Sequence, residues 1–131
     1  MNKALHIALW VVQVMLALAF GMAGVLKSTQ PIDVLGTSMA WAAAVPPGMV
    51  RFIGVSEFLG AIGILLPALT RIKPRLTPLA GAGLALIMAM AIVFHLTRGE
   101  ADLIGIPLTL GLLAAFVAWG RFSKAPIVPR G

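Results

Sequence analysis

Six polar side chains stand in or against long apolar runs of this chain: Gln13, Lys27, Arg51, Glu57, His95 and Arg98. Glu57 carries the most information. It interrupts an apolar stretch over 52–69, and an ionisable group inside a bilayer costs several kcal/mol unless it is paired or hydrated. A carboxyl in that position either fixes helix register through an ion pair or works as an acid–base group. Glu57 and His95 are therefore the candidate catalytic pair, with His95 as the second proton carrier. Lys27, Gln13, Arg51 and Arg98 are the candidate ligand-binding residues. Gln13, Ala17, Phe20, Gly24 and Lys27 recur at alternating spacings of four and three, which puts them on one helix face. Glu57 aligns with Gly60, Ala61 and Ile64, and His95 with Ala91, Met88, Leu84 and Gly81. If these faces meet, Lys27, Glu57 and His95 form a polar cluster beneath one surface, with Gln13 deeper. Arg51 lies six positions before Glu57, about 600° of helical rotation, so the two do not share a face.

Several chemistries fall away. There is no cysteine, which removes disulfides, thiolate metal sites and iron–sulfur clusters. One histidine and one carboxylate make an incomplete metal-ligand set. His6 and His95 are expected at opposite membrane faces, which excludes haem held by two histidines. The seven methionines show no regular spacing to histidine and read as gap-filling core. No metal and no intrinsic cofactor is expected, and quinone is the one cofactor the reading admits.

The elements that must position these residues are membrane helices. Hydrophobic residues make up 60% of the chain and charged ones 11%, and mean hydropathy is +1.04. A water-soluble domain carries about 25% charged residues. Four stretches approach the 20 or so apolar residues a spanning helix needs: 5–26, 52–69, 76–96 and 103–119. Alternating strand patterns are absent, so a barrel is not expected. The apolar run after Asn2-Lys3 is too long for an ordinary signal core and is read as a retained span. The expected fold is an all-α membrane protein: one transmembrane domain over 1–131, a four-helix bundle with a short interfacial helix in the first outer loop. That helix is placed at 34–45, where Val34, Leu35, Met39 and Trp41 supply an apolar face and Pro46-Pro47-Gly48 ends it. It either lids an outward-opening cavity or covers the bundle end. Glycines in the spans, among them Gly24, Gly54, Gly60, Gly81, Gly105 and Gly111, read as close helix–helix contacts.

Basic residues set the orientation. Lys3, Arg71, Lys73, Arg75, Arg121, Lys124 and Arg130 fall on the side of the termini, with no acidic residue. Lys27, Arg51 and Arg98 fall on the other, with Asp33, Glu100 and Asp102. Seven against three puts both termini in the cytoplasm, in a bacterial cytoplasmic membrane. The net charge of +6 is then a consequence of topology and anionic lipid, and nucleic acid is not an expected partner because base-stacking aromatics are missing near the cations. The last four residues, Val128-Pro129-Arg130-Gly131, resemble a protease-site remnant and carry no functional expectation.

Three segments together resemble a known family. They are Ala23-Gly24-Val25-Leu26-Lys27, then Gly54-Val55-Ser56-Glu57-Phe58-Leu59-Gly60 running on to Pro67, then Phe94-His95-Leu96 followed by Arg98-Gly99. In this order they look like the DoxX-like family of small four-helix membrane proteins. The resemblance implies a four-helix bundle with Lys27, Glu57 and His95 as the positions to test. It also implies a subunit of the kind linked to thiosulfate oxidation with quinone as acceptor, or to membrane complexes of the oxidative-stress response. The residues themselves put two functions ahead of a transporter or channel and of a purely structural role. One is an accessory subunit holding a membrane lipid, a quinone or a partner helix, with a protein partner or a second copy of the chain. The other is an intramembrane isomerase or cyclase in which Glu57 acts on an apolar isoprenoid or sterol-like substrate.

Overall fold

The computed structural model describes residues 2–130. Its first helix, α1 (Lys3–Thr29), is capped by the Asn2 side chain, which accepts the Leu5 N–H at 3.2 Å. It stops at Gln30, ahead of Pro31, which has no N–H to continue the ladder. A short α2 (Ile32–Ser38) and a 3-10 turn (Ala40–Ala43) follow. The interfacial segment expected as one helix over 34–45 is thus two pieces, broken at Met39 in an extended conformation (φ −129°). Leu35, Ala42 and Val50 bury together beneath it as a small second core.

The second long helix, α3 (Pro47–Thr70), starts with Pro47 at its first position, where a missing N–H costs nothing. It therefore begins five residues before the expected apolar run. Then come α4 (Leu76–Thr97), a 3-10 turn (Ala101–Leu103) and α5 (Gly105–Trp119). A π-helical turn over Gly120–Lys124 prolongs α5 to a 20-residue span. Among the described residues four helices are long and apolar enough to cross a membrane.

Glycine contacts set the register of an up–down–up–down bundle. Gly24 of α1 faces the Gly54 carbonyl and the Phe58 amide of α3, Gly60 of α3 faces Leu84 of α4, and Gly81 of α4 faces the Ala114 carbonyl of α5. Gly120 returns to Leu9 and closes the ring onto α1. Gly105 departs from expectation, with open space around it. The core between the helices is Leu9, Leu16, Phe20, Ile64, Leu84, Met88 and Val117. The outward positions are apolar too: Leu18 is 68% exposed, Phe52 72% and Ile106 75%. Water would not tolerate so continuous an apolar surface, whereas acyl chains match it.

Candidate functional site

The helices build two polar sites, one at each end of the bundle. The first joins α1 to α3. Lys27 lies in the last turn of α1 and donates from Nζ to Oε1 of Glu57 at 2.8 Å. The Glu57 side chain is 2% exposed and that of Lys27 13%. Sequence places this pair where it is. A Cβ on Gly54 would lie 2.7 Å from Lys27 Cβ, and one on Gly24 2.6 Å from the Phe58 amide nitrogen. Without side chains there, the two backbones touch, and the lysine stem folds down onto the carboxylate one turn beyond Gly54. Glu57 stands ten residues from the start of α3, about 15 Å along the axis. The 3-10 turn lays the Trp41 ring over the ammonium, 5.4 Å from Nζ to the ring centroid, a distance at which the ring face attracts a cation.

Arg51 serves the same corner differently. Its Nη1 donates to the carbonyls of Lys27, at 3.0 Å, and of Gln30, so it ties off the end of α1, where carbonyls lack helical partners.

The structure separates His95 from this pair. Its Nδ1 lies 2.9 Å from Oε1 of Glu100, and its carbonyl accepts the Glu100 N–H at 2.8 Å. Arg98 Nε reaches the same Oε1 at 3.1 Å. The three residues form a closed local turn at the end of α4. Trp41 packs edge-to-face on Phe94 and Phe94 on His95, so an aromatic stack, not a hydrogen bond, connects His95 to the lysine. The expected three-residue cluster is thus a pair plus a neighbouring turn. Gln13 is also elsewhere. It is 14 residues before Lys27 on α1, about 21 Å away along the axis.

Gln13 belongs to a second site that the sequence reading missed. Its Nε2 donates to the Ile64 carbonyl at 2.8 Å, and its Oε1 accepts from Arg121 Nε at 2.7 Å. Arg121, counted above among the basic residues on the side of the termini, is 2% exposed. Its Nη1 lies 2.9 Å from His6 Nδ1 and 2.8 Å from the Ala125 carbonyl, and its guanidinium covers the Trp10 ring at 5.5 Å. Trp10 also donates to His6 Nε2, at 3.2 Å. A neutral imidazole has one acceptor nitrogen, so Arg121 and Trp10 compete for it. The cluster clasps α1, α3, α5 and the C-terminal tail with no carboxylate in it. The sequence signal was available: Gln13 inside an apolar helix needs a partner, and a fourth span of 17 residues over 103–119 is short of a bilayer. Replacing Arg121 by Met leaves Gln13 Oε1 and the Ala125 carbonyl without their donor, a cost of about 1–3 kcal/mol. The expected readout is faster amide exchange across 125–130 with α3 unchanged. Uniform acceleration through the whole bundle would contradict the local clasp.

An apolar groove of about 440 Å³ also runs along the outside of α1 and α3, past Ala17, Gly21, Val25 and Phe58. Among the described residues no group of three or more His, Cys, Asp or Glu side chains is placed to hold a metal.

A four-helix membrane bundle with an interhelical Lys–Glu pair near one end defines the class. The chain belongs to the DoxX-like family, whose model matches residues 11–117. That match takes in Gln13, Lys27, Glu57 and His95 and stops short of His6 and Arg121. Among curated proteins and among solved structures nothing matches the chain.

Proposed function

We propose that this protein is an accessory subunit of a membrane oxidoreductase-type complex, and that it holds the polar head of a lipid or quinone at Lys27 and Glu57. The observation that carries this reading is the state of the Lys27 ammonium. It has three N–H groups, and among the described residues Glu57 is its one hydrogen-bond partner. Two donors beside a carboxylate, under an aromatic face, suit the carbonyl or hydroxyl end of an amphipathic molecule. The apolar body would lie along the outward groove between α1 and α3. A buried ion pair is itself a poor source of stability, since well-packed apolar residues do as well or better, so stability gives little reason to keep it.

The reading includes a bacterial cytoplasmic membrane with both termini in the cytoplasm, on the basic-residue asymmetry, and it places Lys27 and Glu57 towards the outer leaflet. It ranks above the intramembrane isomerase or cyclase because His95, the second proton carrier that mechanism wants, is engaged with Glu100.

The test is solvent extraction of protein purified in mild detergent, with mass spectrometry of bound quinones and isoprenoids, run on wild type and Glu57→Gln together. One defined lipid enriched in wild type and lost in the variant is the expected result. Equal nonspecific lipid in both would sink the proposal and leave the pair a purely structural one.

A further inference from the structure

The turn between α3 and α4 sets three cations, Arg71, Lys73 and Arg75, within five residues at the end of the bundle far from Glu57. Arg71 and Lys73 both adopt left-handed backbone, with φ of 57° and 48°. Arg71 ends α3 in that conformation, as helix C-termini commonly do, and Lys73 repeats it two residues on. An open depression of about 450 Å³ lies at this turn; the turn itself supplies three of its four cations, and Arg130, from the segment that resembles a protease-site remnant, is the fourth. The C-terminal tail supplies the opposite wall and is pinned at both ends. Arg130 donates its N–H to the Arg71 carbonyl at 2.8 Å, and Arg121 holds the Ala125 carbonyl.

No acidic side chain lines this cavity. The four in the sequence lie elsewhere, Asp33 on α2, Glu57 on α3, Glu100 and Asp102 between α4 and α5. The cations therefore have no counter-charge of their own. Beside them stand Ile72, 55% exposed, and Leu76, 48% exposed, at the foot of a helix that spans the bilayer.

We infer that this cavity is a site for the phosphate of an anionic phospholipid. The cations meet the phosphate, and the apolar flank of Ile72 and Leu76 meets the first carbons of its acyl chains. A free phosphate has no use for that flank, which favours the lipid. A scattered positive surface attracts anionic lipid diffusely. A depression between this turn and the tail, with three cations on one short segment, can select a headgroup. The inference is independent of the Lys27–Glu57 reading.

The experiment titrates the full chain in mild detergent with phosphatidylglycerol, phosphatidylcholine or inorganic phosphate, and counts retained lipid by native mass spectrometry. Phosphatidylglycerol is expected to be retained and phosphatidylcholine not. The double variant Lys73→Gln/Arg75→Gln is expected to weaken phosphatidylglycerol binding about thirtyfold. The control Lys3→Gln/Lys124→Gln removes the same charge from the same end and is expected to change it less than about threefold. Equal losses in the two double variants would overturn the inference in favour of diffuse attraction. Equal retention of phosphatidylcholine, or displacement of the lipid by millimolar inorganic phosphate, would overturn it as well.

Discussion

Replacing Lys27 by Met is expected to destabilise the bundle by about 3–5 kcal/mol, the cost of breaking a buried ion pair from one side. Glu57 is 1% exposed, and its one ion-pair partner among the described residues is Lys27. Its neighbours cannot take over. Arg51 is committed to the end of α1, and His95 and Arg98 to Glu100. The double variant Lys27→Met/Glu57→Leu removes the stranded charge together with its partner and is expected to recover most of the loss. Unfolding in mixed micelles with increasing denaturing detergent measures the cycle. Losses that simply add across the cycle would mean that the two residues are not coupled. The double variant also divides stability from function: it is expected to fold well and to lose bound lipid.

Gly24→Ala is expected to cost about 3 kcal/mol, at the upper end of what one inserted methyl does in a packed interior. The new Cβ would stand 2.6 Å from the Phe58 nitrogen, 2.7 Å from the Gly54 oxygen and 2.8 Å from Phe58 Cβ. Backbone atoms on a helix cannot step aside as the tip of a side chain can, so α1 and α3 must separate. That separation pulls the Lys27 stem away from Glu57, and bound lipid should fall along with stability. Gly21→Ala, one turn earlier on α1, is the control. Its Cβ would meet nothing nearer than Ala61 Cβ at 3.8 Å, and the better helix propensity of alanine makes a neutral or slightly stabilising result the expectation. Equal destabilisation by the two substitutions would show that the contact at Gly24 is not special.

Much of this architecture was legible in the sequence because bilayer thickness imposes a length on apolar runs. Four such runs gave four helices, and their glycines gave most of the close contacts. Glu57 was legible for a related reason, since a carboxyl in an apolar helix is expensive enough to need an explanation, and Lys27 was the cation ending the neighbouring helix. The distance of His95 from the Lys27–Glu57 pair was not legible, because helix periodicity says nothing beyond the helix end. The chain turns back after Thr97, and Glu100 closes onto the histidine it follows by five residues. Arg121 was hidden by the same limit. Hydropathy ended the fourth span at Trp119, so the arginine read as a cytoplasmic charge, while the π-helical turn carries it back into the bundle.

The clasp at Arg121 also bears on the order of assembly. Gln13 is completed in two stages separated by nearly half of the chain's synthesis, from Ile64 to Arg121. Its amide finds the Ile64 carbonyl, 51 residues on, as soon as α3 lies against α1. Its oxygen waits for Arg121, 108 residues on. Until α5 arrives, a polar atom of the first helix faces the membrane interior unanswered, and afterwards first and last helices are latched. The polar contact that ties the first helix to the last is therefore made only when the end of the chain is in place, together with the packing of Gly120 on Leu9.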